Sequence, residues 1–221
     1  MKLHLSHLSG AFFLVVLTAT SGYFFIREYD QSLRGVLPDS EAFTHWSEPD
    51  HVLPLSGVGQ TNLLTGCIFA LESWKTAFQA RNAVMAVARN CRTEADRVLM
   101  MHPSLSEAHY LRAYVAFLEG DPEQAQAELS LAQSGAPSDQ WLAVRRVNLA
   151  QKLWPGEVKV GAYDLQNDLG LLIASNLGLD TTTRLYIRYP QLREMIVNST
   201  EQLDDRARVR FLNRLKRQVR G

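Results

Sequence analysis

The chain has 221 residues, with 23 basic and 23 acidic side chains and no formal net charge. That balance argues against a nucleic-acid binder, which needs a basic surplus to meet phosphate. Two cysteines are too few for a disulfide scaffold and too isolated for a zinc site.

Residues 1–7 form a short leader that contains Lys2. Leu8 to Ile26 then carries no charge. Nineteen helical residues reach roughly 28 Å, close to the hydrocarbon thickness of a bilayer. A cleaved signal peptide cut near Ala19–Ser21 would leave Tyr23, Phe24, Phe25 and Ile26 as an apolar new terminus. Those residues suit the far end of a span better, with aromatic rings at the interface. Lys2 on one side and Arg27 with Arg34 on the other do not decide orientation. An apolar segment behind so short a leader acts as a signal-anchor. The expectation is a single-pass protein of the bacterial inner membrane with its body in the periplasm.

Residues 27–60 are expected to be a tether. They contain Pro38, Pro49 and Pro54 with Gly35, Gly57 and Gly59, and show no sustained helical period. Glu28 to Leu33 has no breaker and can prolong the first helix. Gly57-Val58-Gly59 is expected to be a turn before a helix, since no Gly-Lys-Ser/Thr follows it.

Thr61 to about Met101 is rich in helix formers and predicts two antiparallel helices, with a turn near Ala80–Asn82 or Arg89–Asn90. Ser104 and Glu107 have capping-box spacing ahead of a helix that runs to Gly120. Asp121 and Pro122 then start a second helix, which ends at Ser134–Pro137. A further helix is expected over Gln140–Leu153, stopped by Trp154-Pro155-Gly156. Beyond it, Asp164–Asn176, Thr181–Tyr189, Pro190–Ser199 and Glu201–Arg220 predict four helices that cap the stack, with breaks at Gly178–Asp180 and Tyr189–Pro190.

Pro103 and Pro137 lie 34 residues apart, and the same shift superimposes Cys91 on Ala125, Ala95 on Leu129 and Val98 on Ala132. Ala113, Gly120-Asp121, Ala125, Leu129, Ala132 and Pro137 resemble the tetratricopeptide repeat (TPR). The match is good over Ser104–Pro137 and partial over about Glu72–Pro103. His109 stands where the family has a large aromatic residue, so the chain is TPR-like rather than a strict member. The fold class expected is all-α: a transmembrane helix over 8–26, TPR-like hairpins over 61–154, and a helical cap over 155–221.

Tyr110, Tyr114 and Phe117 fall on one helix face at i, i+4 and i+7. In the repeat family this helix lines the concave groove, so the resemblance implies an aromatic partner-binding groove. Shifting by 34 continues it to Val144, Asn148 and Gln151. The alternative is that the C-terminal helices fill this face as core. Cys67 and Cys91 face each other if the turn lies near Ala80, and a periplasmic setting would let them bridge. Otherwise Cys91 is a small packed residue.

The last helix carries Arg206, Arg210, Arg214 and Arg217 among seven cations, with no acid after Asp205. It is either a solvated basic face or a contact for anionic lipid, an acidic partner or acidic polysaccharide. His45 with His51, and His102 with His109, lack the convergent ligands a metal needs. No nucleophile elbow, Walker sequence or dinucleotide fingerprint occurs. Asp164, Asp168, Asp204 and Asp205 are expected to be solvent-facing helix carboxylates. No enzyme activity, cofactor or metal is expected.

The layout of anchor, tether, short repeat and helical tail is similar to accessory proteins of bacterial exopolysaccharide assembly. It implies a non-enzymatic adaptor that binds an envelope-assembly partner. A chaperone-type partner of the secretion translocon, and a glycan-binding module or enzyme that uses the basic C-terminal surface, are the alternatives.

Overall fold

The computed structural model describes residues 3–34, 39–49, 51–153 and 163–220, with side chains for 12–29, 41–49, 51–153 and 163–219. Every element among them is helical, as expected. In order they are α1 (Leu3–Arg34), α2 (Asp39–Ser47), α3 (Gly57–Glu72), a 3-10 turn (Trp74–Phe78), α4 (Arg81–Leu99), α5 (Ser106–Glu119), α6 (Pro122–Gly135) and α7 (Gln140–Leu153). After these come α8 (Leu165–Ala174), α9 (Asn176–Arg188), a second 3-10 turn (Pro190–Leu192), α10 (Arg193–Glu201) and α11 (Asp205–Arg220). The chain divides into two compact units, 1–94 and 95–221. The division falls within the stretch expected to be one repeat domain.

In the first unit, α1 carries large apolar side chains that stay exposed from Phe12 to Ile26. Among the described residues, no helix is long and apolar enough to cross a membrane. The expected span, 8–26, begins with four residues whose side chains lie outside the described set.

The tether expectation needs correction, because the described residues of this segment form helices and long-range hydrogen bonds. Glu28 accepts from the Leu55 and Ser56 amides at 2.8 and 2.7 Å and from the Ser56 hydroxyl at 2.6 Å. The Ser56 hydroxyl holds the Glu28 carboxyl below the usual range, despite burial pushing it up. Ser56 also caps α3, accepting from the Gly59 amide at 2.9 Å. Gly57-Val58-Gly59 is therefore the first turn of α3, not a turn before it.

α2 supplies the other tie. Trp46 is 3% exposed and lies against Gly66 on α3. Its carbonyl and that of Ser47 accept from the Asn90 side-chain amide at 3.1 and 3.0 Å. Proline content pointed to a loose segment, but one buried indole and long-range hydrogen bonds order it.

α3 and α4 form the expected antiparallel pair, joined through the 3-10 turn just before Ala80–Asn82. Cys67 and Cys91 are both fully buried and form a disulfide with alpha carbons 5.7 Å apart. Of the two readings of this pair, the bridge is the one observed.

In the second unit, α5 and α6 form the hairpin that the 34-residue pattern predicts. Gly120 ends α5 with φ +83°, a left-handed position at which other residues are strained. The Asp121 side chain then accepts from the Gln124 amide at 2.9 Å, with Pro122 in the first turn. The expected capping box at the start of α5 is not formed. α5 begins one residue later than that box requires, with Leu105 at the cap and no side-chain cap bond. The Leu105 amide instead donates to the His102 carbonyl at 3.1 Å, closing a tight turn that takes Ser104 out of capping position.

α7 has the expected bounds, while its expected Trp154-Pro155-Gly156 stop lies outside the described residues. Beyond it, the break expected at Gly178–Asp180 falls earlier, at Ser175. The Ser175 hydroxyl accepts from the Gly178 amide at 2.8 Å, which places Gly178 inside the first turn of α9. A Cβ on Gly178 would lie 2.5 Å from the Leu172 alpha carbon and carbonyl oxygen, so α8 and α9 can cross this closely only at glycine.

One buried ionic cluster joins α6, α7 and α8. Arg146 and Asp168 are both 0% exposed. The guanidinium donates to both carboxylate oxygens at 2.7 and 2.8 Å, and to the Ala132 carbonyl at 3.3 Å. The Tyr163 hydroxyl adds a third bond to Asp168 at 2.7 Å. The expectation that Asp168 faces solvent is therefore corrected. A carboxylate so bound works as a structural counter-ion.

Two outcomes follow for stability. Asp168→Ala leaves a buried guanidinium without its counter-ion and lowers unfolding stability by about 3–5 kcal/mol. Arg146→Met combined with Asp168→Leu loses less, and an Asp168→Ala loss below about 1 kcal/mol in urea denaturation would contradict this account. Reducing Cys67–Cys91 reopens a loop with a sequence separation of 24. Closing such a loop is worth about 3 kcal/mol, so Cys67→Ser/Cys91→Ser and dithiothreitol should lower the denaturation midpoint to a similar extent.

Candidate functional site: the groove between α7 and α9

Both walls of the groove come from amphipathic helices. On α7, Leu142, Ala143, Arg146, Val147, Leu149 and Ala150 face the core, which leaves Val144 and Asn148 one turn apart on the other side. The Asp139 side chain starts this helix by accepting from the Leu142 amide at 3.0 Å. On α9, Thr181 and Leu185 are buried, while Arg184 and Arg188 are exposed. Val144 and Asn148 from α7, these four α9 residues with Ile187, and Tyr189 line an open cavity of about 490 Å3.

Two guanidinium groups and an aromatic ring line this groove, and no carboxylate does. The nearest acid on α9, Asp180, is already engaged in an ion pair with Arg214. Arg214 holds its carboxyl below the usual range, and the charges of Arg184 and Arg217 act in the same direction. Arg188 lies 5.6 Å from the Tyr189 ring centroid, a cation–π contact that orients it over the groove rim. The arrangement has the chemistry to hold an anionic group beside a small apolar surface.

A larger cavity, about 590 Å3, lies between α8 and α10. Its one carboxylate, Asp164, is used in capping α8 by accepting from the Asn167 amide at 3.1 Å. Amides and small side chains make up much of the remainder. It offers less to a ligand than the two-arginine groove.

Of the predicted groove residues, Val144 and Asn148 line the α7/α9 groove. Tyr110 and Tyr114 are 1% and 7% exposed, and Phe117 is half-buried. The Tyr110 hydroxyl lies 3.5 Å from the Arg145 carbonyl, and Lys152 sits 5.4 Å from the Tyr114 ring centroid. Both partners belong to α7, so this helix covers the aromatic stripe.

The basic set divides similarly. Arg206 and Arg217 are exposed. Arg210 donates to the Ala174 carbonyl at 2.9 Å and to the Asn176 side chain at 3.1 Å, and Arg214 pairs with Asp180. These two fasten α11 to the junction of α8 and α9. Arg184, Arg188 and Tyr189 were not among the predicted residues, and their spacing from Thr181, at i+3, i+7 and i+8, was the available signal.

His109 occupies a titratable cluster of its own. Its Nδ1 lies 2.8 Å from Glu128, and its Nε2 lies 2.8 Å from the Pro103 carbonyl. Glu128 also accepts from Arg112 at 2.9 Å. Both ring nitrogens face acceptors, an arrangement that favours the doubly protonated ring as a latch between α5 and α6. His45 and His51 also come together, with ring centroids 4.4 Å apart beside Trp46. Among the described residues, no three His, Cys, Asp or Glu side chains are grouped to hold a metal ion.

These features define an all-helical body with a cationic groove. No known protein family, curated protein or solved structure was found to match the chain.

The His109 latch has a definite pH sign. The hydrogen bond to Glu128 raises its pKa against the opposing effect of burial, with the Pro103 carbonyl adding to the rise. Its contribution to stability is full below the unfolded value of about 6.5 and is lost as pH rises through the raised folded value. Denaturation midpoints should therefore fall on going from mildly acidic to mildly alkaline buffer. His109→Gln should remove that slope, and an unchanged slope would refute the latch.

Proposed function

We propose that the chain is a non-enzymatic adaptor, anchored in a membrane by residues 8–26, with its helical body in the oxidising periplasm of a bacterial envelope. The supporting observation is the combination, within one unit, of an exposed apolar helix and a buried disulfide. Phe12 is 72% exposed and Ile26 70% exposed, on a helix face that water does not favour. The Thr18 hydroxyl donates to the Leu14 carbonyl at 2.8 Å, and the Thr20 hydroxyl donates to the Val16 carbonyl. These two hydroxyls find partners within the helix, as a lipid environment requires. The Cys67–Cys91 bridge favours a compartment in which disulfides persist.

In this reading the body resembles TPR-like adaptors. The α7/α9 groove receives an acidic segment of a partner protein, because Arg184 and Arg188 supply charge that no groove carboxylate neutralises. Assembly or export of an exopolysaccharide is the setting that the layout resembles.

A phosphatase fused after Gly221 should be active in intact cells, and a fluorescent protein at the same point should be dark. Detergent-solubilised protein should carry oxidised cysteines and co-purify with an envelope partner. Arg184→Glu/Arg188→Glu should release that partner at least tenfold without moving the denaturation midpoint. Fluorescence in the cytoplasm together with reduced cysteines would sink the proposal. Capture of unfolded clients and the translocon, insensitive to the arginine reversals, would favour the chaperone alternative.

A further inference from the structure

α11 is held to its unit on one side alone. Ala207 and Phe211 are each 2% exposed, and Arg210 and Arg214 tie the same helix to the α8–α9 junction. The opposite side has an unusual composition for a surface already secured elsewhere. Val209, Leu212 and Val219 are 54%, 50% and 70% exposed. At about 100° per residue they fall into one stripe that also contains Lys216. Arg206 and Arg217, both exposed, run along one edge of that stripe. The one acid of the helix, Asp205, falls at the start of the same stripe, where it pairs with Arg208 at 2.8 Å; no acid follows it along the helix.

We infer that this outward face of α11 lies on an anionic lipid surface. Aliphatic side chains can enter the boundary beneath the headgroups while the arginine and lysine groups remain among the phosphates. A hydrophilic polyanion would gain from the cations but nothing from three exposed aliphatic residues. A protein partner would need roughly 800 Å2 on this side, whereas one face of a 16-residue helix offers about a third of that. The inference rests on the anchor reading for the nearness of a bilayer, and it is independent of the α7/α9 groove.

The full chain is mixed with bilayers of phosphatidylcholine alone, or of equal parts phosphatidylcholine and phosphatidylglycerol. An environment-sensitive fluorophore is placed at Leu212→Cys or, as a control, at Val197→Cys on α10, with the native cysteines bridged and unreactive. The label at 212 should shift to the blue and be quenched by lipid-borne quencher only in the anionic bilayer, while the label at 197 stays unchanged. Salt should reverse the effect, and each of Lys216→Glu and Arg217→Glu should weaken it about fivefold.

The outcomes separate the two readings. A chain that floats with both bilayers but shows no anionic-dependent quenching at 212 keeps the anchor and overturns this inference. Flotation with anionic vesicles alone, with quenching at 212, supports the inference and overturns the anchor. Flotation with neither overturns both. Salt-sensitive retention on alginate without lipid quenching would assign the face to polyanions and reject the lipid surface.

Discussion

The second unit depends on the guanidinium of Arg146. Burial acts to lower its pKa, and the bidentate bond to Asp168 outweighs that and raises it, so the group remains charged inside the core. Burial first, and the adjacent Asp168 second, push the Tyr163 hydroxyl well above its ordinary value, so it serves as a neutral donor. Three helices thus meet at one ion pair whose carboxylate accepts three bonds. Dehydrating such a pair is costly, and the cost is offset only in a geometry that satisfies each partner. That requirement sets how α6 and α7 receive α8. The α8–α9 crossing at Gly178 then positions the wall that bears Arg184 and Arg188.

The first unit is ordered differently. Its core is small and apolar, built on Leu63, Leu64, Ile68, Val87 and Ala88 around the disulfide. Polar groups secure its entry segment: Glu28 closes onto the start of α3, and Asn90 holds the carbonyl end of α2. Within this unit a long apolar helix joins a body tied by side-chain contacts. The Glu28 bonds make the end of α1 part of the globular unit.

Local signals carried the hairpin. The left-handed Gly120, the Asp121 cap and Pro122 all act within one turn, and the observed α5–α6 boundaries follow them. The same local reasoning failed at Ser104, because the Leu105 amide bonds to the His102 carbonyl and the His109 ring meets the Pro103 carbonyl, which together fix the turn. It failed again over 39–47, where low helical periodicity was overridden by burial of Trp46. At the groove, periodicity marked the face of α7 on which Val144 and Asn148 lie. It could not tell which of two neighbouring faces would be covered, and α7 itself took Tyr110 and Tyr114 into the core.

By itself, the sequence determined the all-helical class, the placement of α5, α6 and α7, the uncharged stretch at the start, and two cysteines at positions able to meet. Each of these depends on spacing, caps and turn residues within a few positions of one another. The tertiary structure alone decided that Asp168 would serve Arg146, that His109 would bridge Glu128 and Pro103, and that Arg210 and Arg214 would fasten α11 while Arg206 and Arg217 stayed exposed. Those outcomes join residues from different helices. Their free energy comes from desolvation and mutual geometry, which no local pattern encodes.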